Sequence, residues 1–335
     1  MLSKLTSSLK YIIGLLIAIG LLWYVFRDWD LDDLLIRFKQ VSYSWVILSI
    51  FLSLISHVIR AYRWNLLLHP LGYNKVSTFR TFLAIMVGYL ANLMAPRLGE
   101  VTRCGILKKT DNVNMSVSIG TVIAERIVDL IGLMVIIILG LSLQFERLSG
   151  FMMSFFQQKS TSLQLSSRAS LTLITIGVIF VISGVVLWWL RARIKRLPLY
   201  FKLRSFANEL ADGFTSILKL QNKRGFWVST VAIWVFYFAM AYVMVFALSS
   251  TSHLSLLAGF SILIMGGLAM SAPVQGGFGT YHILVGSVLG LYGVIEKDGY
   301  FFATLMHTSQ TFSILLFGSL SFIISLRLQQ KKKLI

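Results

Sequence analysis

Apolar runs long enough to cross a bilayer recur along this chain, at about 10–26, 44–64, 117–143, 170–190, 226–248 and 300–326. A bilayer core about 30 Å thick is crossed by about 20 apolar residues in helical form. Inside lipid each backbone N–H and C=O has to be satisfied within the segment, and a helix does this. The expected fold class is therefore an all-α polytopic membrane protein with about six full transmembrane helices. Charge content agrees: 13% of residues are charged and mean hydropathy is +0.78, whereas soluble domains carry about 25% charged residues. No polar stretch is long enough for a separate soluble domain, so 1–335 reads as a single transmembrane domain.

A shorter apolar run departs from this pattern. Thr81 to Met94 leads into Ala95-Pro96-Arg97-Leu98-Gly99-Glu100, followed by Arg103, Cys104, Lys108 and Lys109. At ~1.5 Å per residue the run falls short of a bilayer core. It ends in Pro and Gly, which break helices, beside charges that are tolerated at depth only inside protein or next to a water-filled cavity. The segment 80–110 is expected to be a re-entrant helical hairpin with its tip at Pro96 and Gly99. Charge bias supports this. If the hairpin returns to its own side, segments 1–10, 60–80, 97–111, 191–225 and 327–335 are cytoplasmic and hold 23 of the 31 Lys and Arg residues, as the positive-inside rule requires. A full span at 80–95 would put Arg97, Arg103, Lys108 and Lys109 outside and invert everything after them. Both termini are then expected in the cytoplasm, with the protein in a bacterial-type cytoplasmic membrane. The first run follows Lys4 and Lys10 like a signal peptide, but Arg27-Asp28-Trp29-Asp30 stands where a cleavage site would be, so it reads as an anchor.

The break is repeated. Ala95-Pro96-x-x-Gly99 is echoed by Ala272-Pro273-x-x-Gly276, within Pro273-Val274-Gln275-Gly276-Gly277-Phe278-Gly279. Each follows a run rich in Gly, Ala, Leu and Met, and each lies between two full spans. This gives two halves, about 44–143 and 226–326, with opposite orientation and a broken helix in the corresponding place. Such an inverted repeat points to a site near the bilayer midplane. The second hairpin tip comprises Pro273, Gly276, Gly277 and Gly279; two full spans over 254–295 would give the same parity. The halves are joined through 191–225, a basic segment with Phe206, Leu210, Phe214 and Ile217 at helical spacing, expected as an amphipathic linker on the cytoplasmic surface. Residues 27–43 read as a short interfacial helix on the outer side.

Charged and polar residues inside the spans are the candidate site. Glu125, Arg126 and Asp129 lie ~13–20 Å along their helix and share a face. They form either an internal Arg126–Asp129 salt bridge or the lining of a polar pathway. Arg97 offers a planar fork suited to phosphate, and Glu100 either orients it or meets a cationic or hydroxyl-bearing group; alternatively the two pair with each other. Arg103, Gln275 and His282 complete the tips, and His307 shares a face with Gln310. His57, Arg60 and Arg63 near the inner interface are expected to snorkel rather than catalyse; the alternative is that these basic side chains hold a lipid phosphate. The net charge of +18 is spread between apolar segments, which favours anionic membrane lipids over nucleic acid as partners. The Gly276-Gly277-x-Gly279 run lacks the strand and acidic residue of a nucleotide loop. With Cys104 as the only cysteine and no catalytic motif, no catalytic residue, cofactor or metal ligand is expected.

Pro96-Arg97-Leu98-Gly99-Glu100 with Arg103, then Glu125-Arg126-x-x-Asp129, then Pro273-x-x-Gly276-Gly277-x-Gly279 together resemble the lysylphosphatidylglycerol synthase transmembrane region, a group of flippase-like membrane proteins. The resemblance covers about 10–326. It implies binding or translocation of a phospholipid or polyprenyl-linked lipid across the membrane. Two departures qualify it. His282 stands where the family commonly has a glutamate, and Ile335 closely follows the last span, where full-length synthases continue into a soluble aminoacyltransferase domain. Lysyl transfer is therefore not expected of this chain alone, and a soluble enzyme partner is a possibility. The alternatives are a membrane subunit of a lipid-modifying enzyme, with Glu100 or Glu125 as general base, and a scaffold without a substrate.

Overall fold

The computed structural model describes residues 19–23, 25, 27, 29–95, 97–145, 198–272 and 274–333. Most of the expected first span, all of the fourth (170–190), and Pro96 and Pro273 lie outside them. Within the described residues all regular structure is helical.

Helix α1 (Leu31–Lys39) has a charge order that suits its dipole. Asp30 caps it by accepting from the Asp32 amide, Asp32 and Asp33 lie in the first turn, and Arg37 and Lys39 in the last. Arg37 ties it to the far end of the chain through an ion pair with Asp298. That hydrogen bond outweighs the cost of partial burial and raises the Arg37 pKa above its ordinary value.

Helix α2 (Tyr43–Leu68) ends in a 3-10 turn, His69–Leu71, closed by Gly72 at φ 92°. Helix α3 (Thr78–Met94) starts at Ser77, whose hydroxyl accepts from the Arg80 amide. It stops at Ala95, held at φ −153°, ψ 139°, the extended region that a following proline imposes. Helix α4 (Leu98–Asp111) follows, with Arg97 at φ 62° as its N-cap. Helix α5 (Met115–Leu143) is capped by the Asn114 side chain. After the undescribed stretch come α6 (Pro198–Thr215) and α7 (Lys223–Val243), which continues in a 3-10 turn to Ala247. Helix α8 (Leu256–Ser271) then stops at Ala272 with ψ 145°, the same pre-proline break as Ala95. Helices α9 (Thr280–Leu289) and α10 (Glu296–Lys333) complete the chain.

Among the described residues three helical stretches are long and apolar enough to cross a membrane: Tyr43–Leu71, Lys223–Ala247 and Glu296–Gln330. Helix α5 is 29 residues long and carries Glu125, Arg126 and Asp129. Helices α3 and α8 are apolar but only 17 and 16 residues long. Each packs against the helix after it, α3 on α4 and α8 on α9.

Helices α2 and α7 pack antiparallel, from Ser49 Oγ donating to Met240 O near one end to Arg63 Nη1 donating to Thr230 Oγ1 near the other. The two short apolar helices pack on distant partners: α3 on α10 and α8 on α5. Bare backbones allow the closest approaches. A Cβ on Gly99 would lie 2.2 Å from Gly88 O, and one on Gly120 would lie 2.2 Å from Leu210 O. The second contact seats α6, part of the expected 191–225 linker, along α5.

Two apolar clusters result. One gathers the start of α2, the end of α7 and helices α8 to α10, with Trp29, Leu34 and Phe38 packed on it. The other gathers the end of α2, helices α3 to α5 and the start of α7 around Trp64, Leu107 and Phe226. Outward faces carry large apolar side chains such as Val228, Val231 and Val235 on α7 and Leu315, Leu316 and Phe322 on α10, as lipid contact requires.

Candidate functional site

The charges of α5 meet those of α2. Arg60 Nη1 donates to Glu125 Oε1 at 3.0 Å and to Asp129 Oδ2 at 2.8 Å. Arg63 Nη2 donates to the same two carboxylates at 3.1 and 2.5 Å. Arg60 Nη2 also donates to Tyr237 Oη at 2.9 Å. Glu125 and the Arg63 side chain are completely buried. The expectation that Arg60 and Arg63 snorkel to the interface is thus corrected. They point inward because two carboxylates one turn apart on α5 face them, and buried charge is tolerable only when paired.

Helix α4 supplies the next layer. Arg103 Nη1 lies 2.9 Å from Glu125 Oε2, an ion pair without hydrogen-bond geometry, and its guanidinium stacks over Trp64 at 4.7 Å. Trp64 is itself held by donating to Thr121 Oγ1. Glu100 Oε1 pairs with Arg126 Nη2 at 2.9 Å, while Arg126 stands 4.0 Å from Asp129. Two expectations change here. Arg126 is matched chiefly to Glu100 on the neighbouring helix, because Glu125 and Asp129 turn toward α2. Arg97 makes no pair with Glu100: the left-handed backbone at Arg97 leaves its side chain exposed, without a partner among the described residues.

A small pocket opens between these helices, lined by Gly88, Tyr89, Asn92, Glu100, Arg103 and Arg126 among others, with room of about 10 Å³ for a water-sized probe, about one water. Asn92 Oδ1 accepts from the Gly99 amide at 2.7 Å, satisfying one of the free N–H groups at the start of α4. Arg103 Nε and Nη2 and Glu100 Oε2 are buried without a hydrogen-bond partner.

A polar stripe leads away from this cluster along α2. Ser49, Ser53, Ser56, Arg60 and Arg63 are all buried. Their alternating spacing of four and three residues puts them on one face, over ~21 Å of helix. His57 lies beside the stripe, its ring 4.8 Å from that of Tyr89. Beyond it, Gln310 Nε2 donates to Ser49 Oγ at 3.2 Å.

The second hairpin meets the first at its tip. Gln275 Nε2 donates to Leu93 O and Met94 O, at 3.0 and 2.7 Å. Gly276, Gly277 and Gly279 all have positive φ, which glycine adopts without strain. The two candidate histidines brace this loop. Gly279 N–H donates to His282 Nδ1 at 3.2 Å. His307 Nε2 donates to Gly276 O at 2.9 Å, since a carbonyl only accepts. The rings lie 5.1 Å apart. The structure thus gathers Glu100, Arg103, Glu125, Arg126 and Asp129 in one cluster and Gln275, His282 and His307 in another, joined through the end of α3. Tyr237 is the member that sequence reasoning missed, together with the inward pairing of Arg60 and Arg63 with Glu125 and Asp129. Among the described residues no group of three His, Cys, Asp or Glu side chains is arranged to hold a metal ion.

Comparison with known proteins adds a family. The family described as the lysylphosphatidylglycerol synthase TM region matches residues 11–318. A UPF0104 membrane protein of Methanocaldococcus jannaschii is 27% identical over 127 residues, which are 37% of this chain and 36% of that protein. The chain is thus aligned with about a third of that relative's length. No solved structure matches.

Proposed function

Because this chain belongs to the lysylphosphatidylglycerol synthase TM region family, we propose that this multi-pass membrane protein is a flippase-like transporter. It binds the head group of a phospholipid or polyprenyl-linked lipid and moves it across the cytoplasmic membrane. The observation that carries this reading is the buried stripe on α2, which runs from the ion-pair cluster at Arg63 to Ser49 and Gln310. Over ~21 Å it offers hydroxyl and guanidinium groups through most of a ~30 Å hydrocarbon core. Buried polar groups are costly in lipid unless they do something with that position, and polar rows facing a bundle interior mark pathways.

The α3–α4 and α8–α9 pairs act as re-entrant hairpins in this reading. Their apolar arms are short, their tips touch through Gln275, and each arm leans on the opposite half. Both termini are then cytoplasmic, and basic residues at the inner face attract anionic lipids.

The test is purified protein in vesicles carrying a fluorescent phospholipid, with a membrane-impermeant quencher reporting the outer leaflet. Faster loss of inner-leaflet lipid than in empty vesicles is expected, with the lipid recovered at unchanged mass. Recovery of a covalently altered lipid would favour the enzyme-subunit reading. Absence of movement for phospholipid and polyprenyl-phosphate probes alike would end the transport reading.

A further inference from the structure

The cluster between α2, α4 and α5 is unbalanced. Arg60, Arg63 and Arg103 are ion-paired with Glu125 and Asp129, and the Arg126–Glu100 pair joins them through the 4.0 Å contact of Arg126 with Asp129. With each group in its usual ionised form, one positive charge is left over. The free hydrogen-bonding capacity lies in the same place. Arg103, with a side chain 4% exposed, spends Nη1 on Glu125 and keeps Nε and Nη2 unpartnered. Those two nitrogens are one edge of a planar fork, the geometry that takes two oxygens of one phosphate. The pocket beside Arg103 is lined by Arg126 as well.

We propose that this pocket binds the phosphate of an anionic lipid head group through Arg103 and Arg126, and that Glu100 holds the phosphate's place when no lipid is bound. The inference rests on reading the cluster as a head-group site; it does not depend on whether the lipid is then moved. The pocket has space for about one water while Glu100 is paired to Arg126, so a phosphate enters only as that carboxylate swings away. The Glu100–Arg126 pair is the one able to yield. Its side chains are 26% and 43% exposed, against 0% and 4% for Glu125 and Arg103, and exposed pairs are weak. A single negative charge on the ligand balances the cluster. Phosphatidylglycerol meets that condition, whereas a zwitterionic lipid such as phosphatidylcholine adds no net charge.

The test is equilibrium binding to the full-length protein in detergent, measured by native mass spectrometry and by thermal shift, with phosphatidylglycerol, phosphatidylcholine, glycerol phosphate and inorganic phosphate as probes. Phosphatidylglycerol is expected to bind and to raise the melting temperature well above phosphatidylcholine. Glu100→Gln removes the competing carboxylate and is expected to tighten phosphatidylglycerol binding about fivefold, the scale of one exposed ion pair. Arg103→Lys keeps the charge, and therefore the balance of the cluster, but loses the fork and the stacking on Trp64; it is expected to melt somewhat below the parent while still folding, and to lose the preference for phosphatidylglycerol. Protection by glycerol phosphate or inorganic phosphate equal to that by the lipid would support the phosphate chemistry and overturn its lipid source. Equal binding of phosphatidylcholine and phosphatidylglycerol, or weaker binding by Glu100→Gln, would overturn the proposal. Either result is separate from the vesicle assay, since a protein that binds without moving lipid satisfies this proposal and fails the transport reading.

Discussion

Gln275 of one hairpin loop donates to the carbonyl oxygen of Met94 at the end of the other hairpin's first arm, at 2.7 Å. The same amide reaches Leu93 O at 3.0 Å. A helix leaves its last carbonyls unpaired, and here the opposite half of the molecule satisfies two of them. The contact joins the two breaks that follow Ala95 and Ala272, so one side chain hydrogen-bonds one tip to the end of the other arm.

Replacing Gln275 by Ala therefore leaves two carbonyls of α3 without their donor. A loss of about 0.5–1.5 kcal/mol is expected, the net worth of an ordinary hydrogen bond to carbonyls that are part-buried and exposed, read as a lower melting temperature in detergent. Gln275→Glu should be worse than Ala, because a carboxylate would face the two carbonyl oxygens. Equal melting of both variants and the parent would show that the tips are held elsewhere.

Arg63 is paired with both Glu125 and Asp129. Arg63→Met strips one cation from an enclosed cluster and should cost about 3–5 kcal/mol, as for other buried pairs broken from one side. Combining it with Asp129→Leu removes a charge of each sign, and most of the loss should return. Yield and thermal stability of the two variants measure this. A double variant as unstable as Arg63→Met alone would contradict the pairing.

At Gly99 the limit is space. A Cβ there would sit 2.2 Å from Gly88 O and 2.7 Å from the Asn92 side chain. Gly99→Ala should separate α3 from α4 and cost about 1–3 kcal/mol, the usual range for overpacking. Gly105→Ala on the same helix is the control, since a Cβ at Gly105 meets nothing within 4 Å. Indistinguishable melting of the two variants would exclude a tight α3–α4 contact.

Topology is open to thiol labelling. Cys104 is completely buried and should react only after denaturation. In a Cys104→Ala background, Lys75→Cys before α3 and Lys109→Cys near the end of α4 are both exposed positions. Both should react with a membrane-impermeant reagent from the cytoplasmic side. Reaction of the two from opposite sides would rule out a re-entrant α3–α4.

Some of this was legible in the sequence and some was not, for physical reasons. Pro96 and Pro273 announce their breaks because proline forces the preceding residue out of the helical region, and Ala95 and Ala272 are extended as that rule demands. Glu125 and Asp129 stood out because carboxylates are rare in apolar helices. Arg60 and Arg63 did not. At the inner end of an apolar run a basic residue fits the positive-inside pattern, which concealed their inward aim. The available signal was periodic: Ser49, Ser53, Ser56, Arg60 and Arg63 fall on one helical face, so the arginines belong to a stripe of buried polar groups. The match of Glu100 to Arg126 had no such signal. It depends on how α4 lies against α5, which short-range spacing does not encode.

The crossed seating of the hairpin arms constrains how the molecule can deform. With α3 resting on α10 and α8 on α5, each short arm is seated on a helix far from it in the chain, like interlaced fingers. A tilt that keeps these packings intact carries α3 with α10 and α8 with α5. With Gln275 also bonded to the end of α3, a motion that preserves these contacts displaces the two loops together.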